Sequence, residues 1–388
     1  SITFSLTNAE IFPWGLIFAI IVIGDKKSID SKSLVVIFIL TISAIYASFK
    51  TENITESIRS LAAYLNVLLV FFAILNSKYK FKNILIINAK YIFIFLVLIG
   101  LLQYLNLFSI FDGLLSNLMK RGGTGLTSES RGVSILSSEP SRAAFEIIFI
   151  SLLIRYFFIV ERKHIYFDAF VLVLLLFLIK SFTGVFLWCV FILLSYVRSL
   201  SKLLLLTFVF FMSTLTLMNG FNFVDFSGNR TLELSQRILE TSSFKDIIYI
   251  ILTQSGFRGV SIISAYVYGM SVFFGNGVGN WESSSLEALR YINADELDIG
   301  YFYYTCGQSI CSVRPTSFMS SLVLDIGLVG LGLFLYNFYK AIHPKINDNN
   351  NVYFYFFIFC LLFNSTVGNP IPWICIALIL GDSRNDED

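Results

Sequence analysis

Arginine is the residue type in this sequence whose placement points most directly to chemistry. Arg121, Arg131, Arg142, Arg258 and Arg314 lie in two polar stretches, and four of the five stand beside or just before a helix start or a glycine turn. A guanidinium keeps its charge and grips phosphate through a planar two-point fork. The same stretches hold Glu139 and Glu146. A carboxylate can take the proton of an attacking hydroxyl, and an arginine group can stabilise the charge on a departing phosphate. Together they suit group transfer from a phosphate-linked donor. The competing reading of the arginines is attraction to anionic lipid headgroups, which uses Lys as readily as Arg.

The contexts sharpen these roles. The first stretch runs from Arg121-Gly122-Gly123-Thr124-Gly125 through Arg131 to Ser137-Ser138-Glu139-Pro140-Ser141-Arg142. Pro140 after a polar residue marks a helix start. Arg142 and Glu146 then sit four residues apart on one helical face, where they pair either for function or simply to neutralise each other. The second stretch holds Arg258, the run Gly275-Asn276-Gly277-Val278-Gly279, and Tyr301, Tyr303 and Tyr304 among Asp295, Glu296 and Asp298. Those rings offer faces for sugars or anchors at a membrane interface. Arg314-Pro315-Thr316-Ser317 opens the next helix, where Asp325 precedes Gly327 and Gly330. Both glycines read as aids to close helix packing.

The elements that position these residues are set by composition. Of 388 residues, 56% are hydrophobic and 14% charged, and the mean hydropathy is +0.76. Soluble folds carry roughly 25% charged residues, so the chain is expected to be an all-α polytopic membrane protein. Apolar runs fall at 11–24, 34–48, 61–77, 84–106, 143–160, 165–179, 183–198, 202–219, 317–339, 352–365 and 370–381. They predict about 11 (10–12) transmembrane helices in a single integral membrane domain over 1–388, with 165–198 forming a hairpin whose tip is 180–184. The charged residues inside the runs, Lys90, Glu146, Arg155, Asp168 and Asp325, are read mostly as lying toward helix ends or snorkelling.

Short loops rich in Lys and Arg alternate with poorer ones: Lys26, Lys27 and Lys32; Lys78, Lys80 and Lys82; Arg162 and Lys163; Arg198 and Lys202; Lys340 and Lys345. Placing these loops in the cytoplasm puts the tail inside and residues 1–10 outside. Two long non-spanning segments, 107–142 and 220–316, then share the external face. Within the second, 231–253 has the spacing of surface-lying amphipathic helices, and 257–274 reads as a buried helix capped by the glycine run. The first residues carry no basic region or Ala-x-Ala site, so no cleavable signal is expected. Cys306 and Cys311 lie in the external segment, either as a small disulfide or as two free thiols. Cys189, Cys360 and Cys375 fall in apolar runs. A net charge of +2 points to no nucleic-acid partner.

Three stretches carry a resemblance: 137–144, Arg258 with the helix leading to Gly279, and Arg314-Pro315-Thr316-Ser317-Phe318 leading to Gly330. In this order on one face they resemble bacterial O-antigen polymerases of the Wzy type, and more distantly the O-antigen ligases. The ligases carry a His, a small polar residue, nine residues and then Gly-x-x-Gly. Here Ser317, Gly327 and Gly330 fit, but Thr316 stands in place of the His, which favours polymerase over ligase. His164 and His343 both fall in loops assigned to the cytoplasm.

The resemblance implies a GT-C type membrane glycosyltransferase fold in the bacterial inner membrane, active on its periplasmic face. It implies transfer of a growing glycan from undecaprenyl pyrophosphate to the non-reducing end of a new lipid-linked repeat unit. The partners are undecaprenyl-pyrophosphate-linked oligosaccharides, membrane lipid and a chain-length regulator of the Wzz type. Arg142, Arg258 and Arg314, then Arg131, are expected at the leaving pyrophosphate, and Glu139, then Glu146, as base. Arg121, Tyr301, Tyr303 and Tyr304 complete the expected binding set. No cofactor is expected, and no metal, since the external segments lack an Asp-x-Asp. Ligase and lipid-linked-glycan transporter remain the alternatives.

Overall fold

The computed structural model describes residues 31–50, 54–77, 79–105, 132–135, 137, 139–196, 257–297 and 299–382. Runs 11–24 and 202–219, the amphipathic 231–253, and Arg121, Arg131 and Asp298 lie outside these residues. Among the described residues the chain is helical, without strands. In chain order the helices are α1 (Ser31–Lys50), α2 (Ile54–Leu75), α3 (Tyr79–Tyr104), α4 (Pro140–Phe158), α5 (His164–Val173), α6 (Phe182–Tyr196), α7 (Phe257–Ser271), α8 (Trp281–Tyr291), α9 (Gly300–Cys306), α10 (Phe318–Ile342), α11 (Asn351–Phe363) and α12 (Ile371–Leu380). All nine of the other apolar runs contain a helix. Among the described residues, three helical segments, Ile54–Leu75, Phe81–Tyr104 and Phe318–Lys345, are long and apolar enough to cross a membrane.

Two compact units divide the chain. The first comprises Ser1–Leu6, Lys78–Ser242 and Asn349–Phe356; the second comprises Thr7–Ser77, Ser243–Asp348 and Phe357–Asp388. In the first, α4 packs against α3 and α6. Its α3 leaves Ile84, Tyr91, Phe95 and Leu98 about half exposed or more, an apolar surface suited to lipid rather than water. The α5–α6 pair is a hairpin, as its sequence suggests. A π turn, Leu174–Leu178, extends α5, and Lys180 adopts φ 52° at the reversal. The returning helix brings Trp188 Nε1 to the Asp168 carbonyl at 2.9 Å. Val133 closes on this reversal, its N–H donating to Leu178 O at 3.2 Å.

Arg155 lies in the last turn of α4, as expected, but neither it nor Asp168 snorkels to the surface. They are 5% and 2% exposed, and Arg155 Nε donates to Asp168 Oδ1 at 2.9 Å. Arg155 Nη1 reaches Tyr353 Oη at 2.8 Å, and the Tyr196 hydroxyl donates to Asp168 Oδ2 at 2.9 Å. The Phe191 ring lies 4.9 Å from the guanidinium carbon. Every charge in this cluster is paired, as a low-dielectric interior requires.

The core of the second unit is aromatic. Trp373 meets Phe318 at 4.9 Å, Phe357 at 5.0 Å, Phe71 at 5.7 Å and Phe338 at 5.8 Å between ring centroids. Helix α10 is packed by α7 and α1, and α12 by α2. The 317–339 run is not a straight rod. Phe318 and Phe334 would be about 24 Å apart along an ideal helix, yet their ring centroids lie 6.2 Å apart. The helix breaks at Gly327 (φ 69°, ψ −174°), and its two arms fold toward each other.

Candidate functional site

The break at Gly327 organises the polar groups of the second unit. A straight helix would pair Leu328 N–H with Leu324 O, and Val329 N–H with Asp325 O. Instead all four groups are taken by the segment following α7. Leu328 N–H donates to Val272 O at 3.2 Å and Val329 N–H to Phe273 O at 3.1 Å. Asn276 N–H donates to Leu324 O at 3.2 Å and Gly277 N–H to Asp325 O at 2.8 Å. Residues 272–277 thus act as a clip that replaces the helix's own hydrogen bonds, so the break leaves these groups satisfied without water.

Two sequence readings change here. Gly327 is more than a packing glycine: a Cβ there would overlap Gly275 N and come within 2.6 Å of Val272 O. The glycine run does not directly cap α7, which ends at Ser271. Gly277 takes φ 92° and lies against Ala47, and Gly279 lies against Ser57, so the run lets extended backbone press onto α1 and α2.

The clip and break deliver Asp325 to a buried position, 3% exposed. Its Oδ2 accepts from the Tyr64 hydroxyl at 2.8 Å, and its carbonyl accepts from Ser43 Oγ at 3.3 Å. The Arg314 guanidinium acts electrostatically on both Asp325 and Tyr64. Arg314 is half-buried, and its Nε and Nη2 have no hydrogen-bond partner. The hydroxyls of Thr316, Ser57 and Ser60 are likewise buried without a partner. Ser317 caps α10 by accepting from Ser320 N–H at 3.1 Å, which fixes the helix start just after Arg314 and Thr316.

Sequence reasoning passed over Tyr64, Ser57, Ser60 and the role of Asp325. An apolar-run search starts this span at residue 61, whereas α2 begins at Ile54 and carries the serines in its first turns. The available signal was periodic: positions 57, 60 and 64 recur at helical spacing and share one face.

Arg258 belongs to the same unit, half-buried in the first turn of α7. Val260 and Val313, near Arg258 and Arg314 in the chain, share one apolar cluster with Leu289, Ile299 and Phe302. The predicted tyrosines separate by role. Tyr301 stacks on Phe257 with centroids 4.1 Å apart, so one face serves packing. Tyr303 and Tyr304 are 49% and 94% exposed, leaving their rings accessible. Cys306 and Cys311 form a disulfide. In α7, burial and the Glu287 carboxylate, which accepts from the Tyr268 hydroxyl at 2.6 Å, push that phenol up to about 12.

The first unit gathers the other predicted residues around the start of α4. Glu139 occupies the N-cap position without a side-chain cap bond, and Ser141 Oγ donates to its Oε2 at 3.3 Å. Arg142 is half-buried in the first turn. Glu146 Oε2 accepts from Ser137 Oγ at 3.0 Å, and the Arg142 charge acts on Glu146. Glu139, Arg142 and Glu146 therefore form one neighbourhood, and Arg258 and Arg314 flank the apolar cluster of the other unit. Among the described residues no three His, Cys, Asp or Glu side chains converge as a metal site.

No family model matches this chain, and no curated protein or solved structure is significantly similar to it.

Proposed function

We propose that this protein is an O-antigen polymerase of the bacterial inner membrane, a GT-C type glycosyltransferase that uses undecaprenyl-pyrophosphate-linked glycans on the periplasmic face. The observation that carries the reading is the open edge of Arg314. Nε and Nη2 form the side-on fork of a guanidinium, and both lack a hydrogen-bond partner. A buried donor pair left unmade is costly, and a pyrophosphate oxygen pair satisfies it with charge-assisted bonds. The acceptor hydroxyl attacks the anomeric carbon as the bond from that carbon to the pyrophosphate oxygen breaks. The electron pair leaves with undecaprenyl pyrophosphate, whose charge Arg258 and Arg314 of the second unit offset. In the first unit, Arg142 is the sequence's further candidate for a pyrophosphate, and Glu139, or after it Glu146, for the hydroxyl proton. Tyr303 and Tyr304 offer ring faces to sugars, and a chain-length regulator of the Wzz type is the expected membrane partner.

A transporter of lipid-linked glycans is the second reading, favoured by the broken α10, since transporters place substrates at discontinuous helices. Lipopolysaccharide gels separate the two. A deletion strain is complemented with wild type, Arg142→Ala, Arg258→Ala or Arg314→Ala, with membrane levels checked. A single repeat unit on the lipid core in the deletion, with a ladder restored by wild type alone, supports the polymerase. Loss of every repeat points to a transporter or ligase. Full ladders from all three well-expressed variants remove the arginine assignment.

A further inference from the structure

Buried hydroxyls without partners are uncommon, because each sacrifices hydrogen bonds it had with water. Three of those in the second unit lie on α2 or just after Arg314, and the Tyr64 ring of α2 meets the Phe318 ring at the start of α10, with centroids 5.5 Å apart. Ser60, 0% exposed, sits one turn before Tyr64 on the same face of α2. Tyr64 in turn bonds Asp325 and feels the Arg314 charge. Thr316 lies two residues after Arg314, where the Ser317 cap and the Ser321 Oγ bond to Pro315 O at 3.1 Å fix the backbone. Ser57 lies a turn farther along α2, beneath the Gly279 backbone.

We propose that Ser60 and Thr316, together with the Nε–Nη2 edge of Arg314, form one oxyanion-binding pocket that accepts the phosphate oxygens of a lipid-linked pyrophosphate. This rests on the polymerase reading's assignment of Arg314 to pyrophosphate and adds two hydroxyl donors to it. Each donor can rotate its O–H toward an anionic oxygen, a role that neither an apolar residue nor a carboxylate at these positions could fill. Asp325 and Tyr64 are spoken for: the tyrosine hydroxyl is donated to the carboxylate, and the carboxylate balances the guanidinium. Of the groups named here, the donors left open are therefore those of Arg314, Ser60 and Thr316. Ser57 is excluded because Gly279 covers it.

The arrangement makes a prediction that a purely structural role does not. Removing a buried, unpartnered hydroxyl relieves its desolvation penalty, so Ser60→Ala and Thr316→Val keep or raise the unfolding temperature. The same changes weaken ligand binding, by about tenfold each for a lost bond to a charged group. Ser57→Ala keeps the stability gain without the binding loss.

The full-length protein in phosphatidylcholine nanodiscs is titrated calorimetrically with farnesyl pyrophosphate, alongside thermal unfolding of each variant. Arg314→Gln, Ser60→Ala and Thr316→Val are each expected to bind weakly, with the last two at least as stable as wild type and Ser57→Ala binding normally. Normal binding by Ser60→Ala and Thr316→Val, with Arg314→Gln impaired, overturns the hydroxyl pocket while leaving the arginine reading intact. No binding by folded wild type overturns both. In nanodiscs containing phosphatidylglycerol, competition as strong as that of farnesyl pyrophosphate itself would reassign the pocket to a lipid headgroup and overturn the proposed occupant.

Discussion

Replacing Gly327 with Ala tests the clipped break directly. At φ 69°, ψ −174° a residue with a Cβ is strained by about 1–3 kcal/mol. The new Cβ also overlaps Gly275 N and comes within 2.6 Å of Val272 O, so residues 272–277 must retreat. Retreat breaks the four bonds made by Leu328, Val329, Asn276 and Gly277. A straightened α10 recovers two of them as ordinary helix bonds. Straightening relieves the strain but leaves a net loss of two backbone bonds, about 1–3 kcal/mol, so by either route the variant loses about 1–3 kcal/mol from a typical total of about 5–15 kcal/mol. The assay is thermal unfolding in detergent, with hydrogen exchange at the Asn276 and Gly277 amides. Gly332→Ala is the control, since a Cβ there meets nothing within 4 Å and its higher helix propensity keeps or raises stability. Equal stability of the two variants, with both amides still protected, would refute the clip.

Other outcomes follow from the same geometry. Arg155→Met strands the Asp168 carboxylate in a site where it is 2% exposed and is expected to cost about 3–5 kcal/mol in detergent unfolding; the paired change with Asp168→Leu should recover most of that loss. Because the Tyr268 phenol is raised from 10.0 to about 12, its stabilising contribution is whole below pH 10 and fades as pH climbs toward 12. The melting-temperature gap between wild type and Tyr268→Phe should therefore narrow across that window, and a constant gap would count against the Tyr268–Glu287 bond. Maleimide mass labelling of denatured, unreduced protein should leave Cys306 and Cys311 unmodified until a reductant is added. If Glu139 rather than Glu146 is the base, Glu139→Gln should abolish the glycan ladder, and Glu146→Gln should shorten or weaken it.

The apolar runs revealed the helices because a 20-residue hydrophobic stretch is a long-range signal that survives errors at its ends. Thus α3, α11 and α12 fall close to where periodicity and composition put them, and Lys180 marks the hairpin reversal. What the sequence concealed depends on pairing across distance. Nothing local to Gly327 distinguishes a packing glycine from one that breaks a helix, because the difference lies in residues 272–277. Asp325 looked like a charge near a helix end until the fold brought Tyr64 to it. Arg155 and Asp168, 13 residues apart, needed the α4–α5 turn before either could be recognised as the other's partner. The arginines were legible as a residue type, but the open edge of Arg314 is a property of its surroundings alone.

The clip also has a direction in time. Asn276 precedes the Leu324 carbonyl that it holds by 48 residues, so the template leaves the ribosome before the helix it interrupts. Chains are made from the N-terminus at about 5–20 residues per second, which gives the 272–277 segment a lead of several seconds over α10. Had the order been reversed, α10 would emerge alone. Its backbone groups would then close on one another as a continuous helix, the one arrangement lipid tolerates without help. Reaching the broken form would require opening bonds already made inside the bilayer. The order of the sequence spares the protein that step: the partner segment is already synthesised when the glycine that needs it arrives.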